Sequence, residues 1–314
     1  MEKVAQLESG INLSYQDTGK KGHPAIILIM GLGAQMTVWP DELYYGLVDK
    51  GFRVIRFDNR DTGKSSLLSH YGKPNVLKTW ATRKFTSKAK APYLLEDMVQ
   101  DTLALMSYLK IKKAHLIGAS MGGMIAQILA ANNKKKVLSL TCLMSSARPQ
   151  GLTASRLRMF MQLANRPNSS NRKAAINYNV KLNRLIGSPS FPIDDKQLYQ
   201  QAKFHIERGY HPDGISRQLA ALTASGCRRH LLKSIKVKTL VIHGNQDPVI
   251  PVQDGIETAQ SIKKNKLKIV DGMGHDFPPE ITPKLIKWIS KHILKAEQKR
   301  AVKKALKQAT IELN

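Results

Sequence analysis

The sequence predicts an α/β protein with a doubly wound, mostly parallel β-sheet and a helical insertion. Short apolar runs typical of buried strands alternate with segments whose apolar residues have helical spacing. This alternation stops after Ser146 and resumes near Val237, and the segment between them is polar, basic and helix-like. A chain of 314 residues is long enough to form one large α/β domain with such an insertion.

The first half of the chain contains three strand patterns and two helix patterns. Two strands joined by a turn at Ser9-Gly10 are predicted by KVAQLESG and INLSYQDTG. A strand buried on both faces is predicted by the continuous apolar run AIILIMGLG. A helix from Asp41 to Lys50 ends at Gly51, and FRVIRFDN predicts the next strand. Apolar residues at helical spacing then predict a helix from Leu94 to Leu109.

The same alternation continues on both sides of the insertion. A strand, a helix and a strand are predicted by AHLIGAS, MGGMIAQILAANN and VLSLTCLMSS. After the insertion, VKTLVIHGNQDPVIP and KLKIVDGMGH predict strands, with a helix around Gln253 to Ile262 between them and another from about Ile281. We therefore divide the chain into a core (residues 1–146 and 237–296), a helical insertion (147–236) and a C-terminal extension (297–314).

The chain is strongly basic, with 50 Lys and Arg against 23 Asp and Glu and a net charge of +27. The excess is enriched in two places, Arg148 to Lys236 (net +12) and Lys284 to Asn314 (net +7). Such charge suits nucleic acid, an anionic membrane or acidic substrates. We favour a solvated basic surface and expect no specific nucleic acid partner, because no nucleic-acid-binding motif accompanies the charge.

The extension after Ala296 has an amphipathic pattern, with Val302, Leu306, Ala309 and Leu313 on one helical face. One interpretation is weak association of this basic segment with an anionic surface. The alternatives are packing on the protein itself or fraying at the terminus.

Several classes of protein are disfavoured by what the sequence lacks. No apolar run reaches the roughly 18 residues that a membrane-spanning helix needs, and MEKVAQLESG has no apolar core typical of a secretory signal. Cys142 and Cys227 form no metal or disulfide pattern. We therefore expect a reduced, cytoplasmic protein, and the sequence leaves its oligomeric state open.

A candidate nucleophile lies in the segment Gly118 to Gly122, GASMG, which matches G-x-S-x-G. A sharp turn from strand to helix leaves no room for side chains two positions before and after the serine, and glycine meets that demand. Ser120 would then project at the carboxyl end of the sheet, beside a helix N-terminus. A glycine-rich turn can also serve only the packing of the backbone. The predicted strand before this segment and the predicted helix after it are what favour Ser120 as a nucleophile.

A serine nucleophile needs a base, and His275 is the strongest of the nine histidines. It follows a predicted strand in the glycine-rich loop VDGMGHDFP. His243 competes for this role, but we expect it to lie in a strand or at its end.

The base needs an orienting carboxylate, and Asp247 in IHGNQDPVIP lies just beyond a strand end. Asp271 and Asp276 compete, but they are too near His275 in sequence to reach its far nitrogen. Asp247 and His275 could each be solvated loop residues if taken alone. Together with Ser120, however, all three follow strand ends, where open sheets bind ligands.

An oxyanion formed at Ser120 needs two hydrogen-bond donors. One should be the N–H of Met121, the residue after the nucleophile, and the other should come from the loop Met30 to Ala34, where we favour the Leu32 N–H. Only backbone N–H groups are required from this loop. Serine hydrolases often have histidine at the position of Met30, but a methionine side chain there does not prevent the backbone from binding an oxyanion.

These residues resemble the α/β-hydrolase superfamily, in which the chain order is Ser, Asp, His. FDNRDTGKSS resembles its D-x-R-x-x-G-x-S segment, where Asp58 and Arg60 would tie down a loop. Within it, the chain most resembles the aclacinomycin methylesterase-like group, over about residues 25–280. The matching segments are LIMGLG, WPDEL, VIRFDNRDTGKSS, GASMGG, LVIHGNQDPVIP and GMGHDFP. The insertion resembles the helical cap of this group, with scattered pieces such as RGYHPDGISRQLAA, whereas the basic extension departs from it.

The resemblance implies the α/β-hydrolase fold and hydrolysis of a small-molecule carboxylic ester through an acyl-enzyme, without a metal or an organic cofactor. Prolyl aminopeptidase, thioesterase, C–C bond hydrolase, perhydrolase and acyltransferase activities use the same groups and stay open. An aminopeptidase ranks lower because the cap has few acidic residues to hold a substrate amine. Dehalogenases and epoxide hydrolases need a carboxylate where Ser120 stands.

Two further questions stay open from the sequence alone. The chain could be a non-catalytic small-molecule-binding protein that has kept the hydrolase shape. If the charge of the cap faces the cleft, acidic esters would be steered into it, and if it faces solvent it only aids solubility.

Overall fold

The computed structural model describes residues 1–76, 78–79, 91–148 and 166–312. Eight strands form one sheet: β1 (Glu2–Gln6), β2 (Asn12–Asp17), β3 (Ala25–Ile29), β4 (Arg53–Phe57), β5 (Ala114–Ala119), β6 (Val137–Leu143), β7 (Lys238–Gly244) and β8 (Asn265–Val270). Their order is β1-β2-β4-β3-β5-β6-β7-β8. The strands pair in parallel from β4 to β8 across the sheet, and only β1 and β2 are antiparallel to their neighbours. The prediction of a mostly parallel sheet is confirmed.

The helices of the described residues are α1 (Asp41–Asp49), α2 (Leu95–Tyr108), α3 (Met121–Asn132), α4 (Arg172–Ile186), α5 (Asp195–Arg208), α6 (Pro212–Ala224), α7 (Arg229–Leu232), α8 (Val252–Gln260) and α9 (Thr282–Glu312). Helices α2, α3 and α8 contribute to one apolar cluster of the sheet, and α1 and α9 contribute to the other. Helices therefore cover both faces, as a doubly wound sheet requires.

Burial explains why the apolar runs form strands where they do. Every residue of β3, β4 and β5 is buried, because these strands lie in the middle of the sheet with helices on both faces. The edge strand β8 is mostly exposed, and Val270 is its buried residue.

Predicted and observed helices differ at their ends by a residue or two. Leu94, for example, is extended and caps α2, since its N–H donates to the Asp97 carboxylate at 2.7 Å.

The described part of the cap contains α4 to α7, and residues 149–165 of the predicted insertion lie outside the described residues. Two buried ion pairs connect this cap to the loop after β4. Arg217 on α6 pairs with Asp61 at 2.7 Å, and Arg208 at the end of α5 pairs with Asp58 at 2.8 Å. The Tyr93 hydroxyl also donates to Asp61 at 2.8 Å. Removing one partner of such a pair would leave a buried charge unpaired, so these contacts hold the cap in place.

The C-terminal extension is continuous with α9, which runs from Thr282 to Glu312. On its predicted apolar face, Val302 and Leu306 are exposed, with relative exposures of 60% and 64%. The Ala309 side chain and all of Leu313 lie outside the described residues. In the described ranges, no helix combines the length and the apolar character needed to cross a membrane.

One buried histidine of α9 should make stability depend on pH. His292 is 6% exposed, and its ring faces the backbone of Leu140 and of Lys238. Burial lowers the pKa of His292 to about 4 from the ordinary value of 6.5. Between these two pH values the unfolded chain takes up a proton that the native chain does not bind, so stability falls as the pH falls from 6.5 to 4.

We expect His292→Gln to reduce this loss of stability by up to about 3 kcal/mol over that interval. The measurement is the free energy of unfolding in urea at several pH values between 7 and 4.5. His230→Gln is the matched control, because His230 is exposed and should leave the slope unchanged. Equal slopes for wild type and His292→Gln would contradict the assignment.

Candidate active site

Ser120 lies in the turn between β5 and α3, with φ 53° and ψ −121°. A positive φ is unusual for a residue other than glycine and is typical of strained functional turns. The turn is held by two hydrogen bonds. The Ser120 N–H donates to the Leu143 carbonyl at 2.9 Å, and the Ser145 hydroxyl donates to the Ser120 carbonyl at 2.8 Å.

The two flanking glycines are required by close backbone contacts. A Cβ on Gly118 would lie 2.3 Å from the Gly122 carbonyl oxygen, and a Cβ on Gly122 would lie 2.0 Å from the Ile29 carbonyl oxygen. Both distances are shorter than van der Waals contact, so no side chain fits at either position. The steric reason predicted for the G-x-S-x-G pattern is confirmed.

The structure brings the three predicted side chains together at one edge of the sheet. Asp247 follows β7 and His275 follows β8, two and three strands along the sheet from β5, which leads to Ser120, so all three lie at the carboxyl ends of parallel strands. His275 Nε2 is 3.0 Å from Ser120 Oγ, and His275 Nδ1 is 2.7 Å from Asp247 Oδ2. These contacts form a continuous chain from the hydroxyl to the carboxylate.

The Asp247 carboxylate is completely buried and well satisfied. Its Oδ1 accepts hydrogen bonds from the N–H groups of Val249 and Ile250, both at 2.8 Å. Burial alone would raise the pKa of Asp247. It is outweighed by the charge interaction with His275 and by hydrogen bonds from His243, His275 and Ile250, which hold this pKa well below its usual range. Asp247 is therefore an ionised acceptor for His275.

The competing histidine and acids have other partners. His243 Nε2 lies 2.8 Å from the Ile250 carbonyl oxygen and 3.3 Å from Asp247 Oδ2, the same oxygen that His275 Nδ1 contacts at 2.7 Å. Asp271 accepts from the Asn245 amide at 2.6 Å. Asp276 accepts from the Ser188 N–H and hydroxyl, and burial raises the pKa of Asp276. In the described part of the chain, the hydrogen-bond partner of Ser120 Oγ is His275 and not any of these three residues.

The loop after β3 passes next to Ser120, since a Cβ on Gly31 would lie 3.0 Å from the Ser120 Cβ. Within this loop, the Gly33 N–H donates to Gln218 Oε1 at 2.8 Å, and the Ala34 N–H donates to the Gly31 carbonyl at 3.3 Å. In the described part of the chain, the N–H groups of Leu32 and Met121 have no protein acceptor. The N–H groups of Leu32 and Met121 are thus available as two hydrogen-bond donors to a ligand oxygen near Ser120.

Comparison with known proteins agrees with this geometry. A family model for the alpha/beta hydrolase fold matches residues 24–280, which is most of the chain. The chain belongs to the α/β-hydrolase family. The resemblance inferred from the sequence motifs is therefore confirmed at the level of the family.

This α/β-hydrolase is similar to several named enzymes. Rhodomycin D methylesterase of Streptomyces peucetius is 23% identical over 302 residues, which cover 90% of this chain and 95% of the relative. The 3-oxoadipate enol-lactonase 1 of Acinetobacter baylyi is 24% identical and covers 83% of this chain and 86% of its own. The crystal structure of the enol-lactonase from Burkholderia xenovorans LB400 superposes with a TM-score of 0.73 at 22% identity, covering 93% of this chain and 100% of that one. This last likeness shows the fold, and the names of the relatives are consistent with a carboxylic ester hydrolase.

A cavity of about 900 Å³ lies between the core of this α/β-hydrolase and its cap. Ser120, Met121, Leu32 and His275 all line it, so the candidate site opens into this space. Its cap side is largely apolar and includes Leu182, Ile186, Leu198, Phe204, Ile215 and Leu219. A cavity of this size and lining is typical of a small-molecule site.

The charge of the cap reaches this cavity at three arginines in the described residues. The basic residues that line it are Arg148, Arg166 and Arg228. Arg148 forms an ion pair with Glu257, and Arg228 donates to the Gly226 carbonyl at 2.8 Å. Arg156 and Arg158 lie outside the described residues. Most other basic residues of the described cap are exposed, whereas Arg166 and Arg228 line the cavity and form no ion pair with a carboxylate among the described residues.

One functional contact was not found from the sequence. Gln218 on α6 bonds the loop that contains Leu32, although it lies 185 residues from Gly33 along the chain. The segment RGYHPDGISRQLAA contains Gln218 and resembles the cap of the family, and this was the signal that could have drawn attention to it.

Proposed function

We propose that this protein is a serine esterase that cleaves a small-molecule carboxylic ester through an acyl-enzyme intermediate. The observation that carries the proposal is the hydrogen-bonded chain from Ser120 Oγ through His275 to the buried Asp247, facing the cavity. The names of the relatives support it, because a methylesterase and an enol-lactonase both act on carboxylic ester bonds, a lactone being a cyclic ester.

In the first step Ser120 becomes the nucleophile. Because His275 Nδ1 faces the ionised Asp247, that nitrogen carries the proton and Nε2 presents its lone pair to Ser120 Oγ. His275 takes the hydroxyl proton as the oxygen attacks the ester carbonyl. The carbonyl oxygen becomes an oxyanion, which the N–H groups of Leu32 and Met121 stabilise.

The tetrahedral intermediate then collapses. The bond between the carbonyl carbon and the alcohol oxygen breaks, and His275 gives its proton to the leaving alkoxide, so that an alcohol departs and Ser120 is acylated. A water molecule next loses a proton to His275 and attacks the acyl carbon. The second collapse releases the carboxylic acid and returns the proton to Ser120.

The acidic residues of the cap argue against an aminopeptidase. Asp194, Asp195, Glu207 and Asp213 are all exposed, and none of them lines the cavity. A bound substrate amine would therefore find no cap carboxylate in the described structure.

The basic end of α9, with Val302 and Leu306 exposed, is consistent with weak association with an anionic surface.

The proposal is tested with a panel of alkyl esters, lactones, thioesters and prolyl anilides, varied in acyl length and in alcohol. We expect at least one ester or lactone to exceed the best anilide in kcat/KM by about a hundredfold or more, because the site lacks a cap carboxylate for a substrate amine. A faster anilide would contradict the proposal.

A labelled fluorophosphonate separates an enzyme from a binding protein with the same fold. We expect covalent capture at Ser120, because the phosphorus is attacked by a hydroxyl that His275 deprotonates. Labelling should be absent in Ser120→Ala. Failure of the wild-type protein to label would favour the binding protein.

A further inference from the structure

A buried glutamine of the cap joins two loops of the core, the loop after β3 and the loop after β4. Gln218 lies on α6 and is 0% exposed. Its Oε1 accepts from the Gly33 N–H at 2.8 Å, and its Nε2 donates to the Arg60 carbonyl at 2.7 Å and to Thr62 Oγ1 at 2.8 Å. Both ends of the side-chain amide are therefore satisfied, which fixes its orientation.

The same helix presses on the loop after β3. Gly33 has φ 66°, and a Cβ there would lie 2.9 Å from Ile215 Cγ1 on α6. The neighbouring Arg217 fixes α6 to the core through its buried ion pair with Asp61. The loop after β3 is thus supported from the cap side by Ile215 and Gln218.

Gly33 is the next residue after Leu32, a proposed oxyanion donor. The Gly33 N–H belongs to the peptide group that joins Leu32 to Gly33, so its hydrogen bond to Gln218 fixes the peptide group that adjoins the Leu32 N–H along the chain. If Gln218 were unable to accept, the half-buried Gly33 N–H would have to find another acceptor, and the loop would shift. Donors that are held in place before the reaction stabilise an oxyanion better than donors that must reorganise.

We propose that Gln218 is a positioning residue for the oxyanion hole, and that the hole is complete only while α6 of the cap is seated on the core. This inference rests on the proposed esterase function. Because the negative charge on the carbonyl oxygen develops in the transition state, loss of the support should lower kcat and leave KM nearly unchanged.

The test compares Gln218→Met with Gln35→Met on the best ester of the panel. Gln35 is a matched control from the same loop, since it is also buried and joins cap to core: its Nε2 donates to the His205 and Gly209 carbonyls at 2.6 and 2.7 Å, and its Oε1 accepts from Arg208 at 2.7 Å. We expect Gln218→Met to lower kcat by about 10- to 100-fold with KM within about threefold. Gln35→Met should keep kcat within about threefold, even if both variants lose similar thermal stability.

A trifluoromethyl ketone related to that ester gives an independent readout, because Ser120 adds to it and places an oxyanion in the hole. Its inhibition constant should rise for Gln218→Met by the same factor as kcat falls. The inhibition constant of the corresponding methyl ketone, which stays uncharged, should not change. Equal kcat for wild type and Gln218→Met, or equal losses in Gln218→Met and Gln35→Met, would overturn the proposal.

A second pair of variants covers the case in which Gln218→Met does not fold. Gln218→Glu, as the neutral acid that burial favours, keeps an acceptor for the Gly33 N–H and a donor for the Arg60 carbonyl, whereas the shorter Gln218→Asn cannot reach Gly33. We expect kcat to fall in the order wild type, Gln218→Glu, Gln218→Asn, and equal kcat in the two variants would overturn the proposal. Hydrolysis that is abolished in Ser120→Ala but unaffected in the Gln218 variants would refute this inference alone. Absence of Ser120-dependent hydrolysis in the wild type would refute both.

Discussion

Ser120→Ala is expected to lower kcat for ester hydrolysis by about 10⁴- to 10⁶-fold. The substitution removes the oxygen that lies 3.0 Å from His275 Nε2 and leaves the backbone of the turn unchanged. No other group in the described structure replaces it, since Ser145 uses its hydroxyl to bond the Ser120 carbonyl. The measurement is kcat on the best ester of the panel, with the melting temperature as a check that the fold is intact.

Ser139→Ala is the matched control for this loss. Ser139 is a buried serine near the start of β6 that contacts His115 at 2.8 Å, at the end of the sheet opposite the half-buried Ser120. We expect its kcat to stay within about threefold of wild type. A folded Ser120→Ala variant that keeps a tenth of the wild-type kcat would refute the nucleophile assignment.

Asp247→Asn should lower kcat by about 10³- to 10⁴-fold, with a small change in KM. The amide keeps an oxygen for the Val249 and Ile250 N–H groups, so its NH₂ group faces His275 Nδ1. His275 would then carry its proton on Nε2, where it cannot accept the Ser120 proton. The measurement is kcat and KM for the wild type and for Asp247→Asn across a pH series.

Asp271→Asn distinguishes this effect from a general loss of a nearby charge. Asp271 is closer to His275 in sequence than Asp247 is, but its carboxylate bonds Asn245. Its kcat should stay within about threefold of wild type. A large loss in Asp271→Asn together with a small loss in Asp247→Asn would reverse the assignment of the orienting acid.

Much of the sheet and of the site could be predicted from local sequence. The apolar run of β3 required a strand buried on both faces, and the observed strand is buried throughout. Gly118 and Gly122 implied a turn too tight for side chains, and the observed contacts of 2.3 and 2.0 Å show why. In a parallel sheet, residues just after strands meet at one edge, which is why Asp247 and His275 could be paired with Ser120 from their positions alone.

The contacts between cap and core could not be predicted in this way. Gln218 and Gly33 are 185 residues apart, and Arg217 and Asp61 are 156 apart. Neither pair belongs to a repeating pattern of strand or helix, so the sequence contains no periodic signal for it.

The end of the chain is hard to interpret from the sequence for a related reason. Helical spacing gives Val302 and Leu306 one face, but it does not say that α9 continues unbroken from Thr282 or that both side chains are exposed.

The most direct test of the central claim is the mass of the protein during turnover of a slow ester with a bulky acyl group, such as p-nitrophenyl pivalate. The reaction is quenched in acid within milliseconds to seconds, and the masses of the intact protein and of its proteolytic peptides are measured by mass spectrometry. The account predicts a transient increase equal to one acyl group in place of one hydrogen, located on the peptide that contains Ser120. Release of p-nitrophenol at the wild-type rate with no acyl adduct at any time, or with an adduct on another residue, would contradict it.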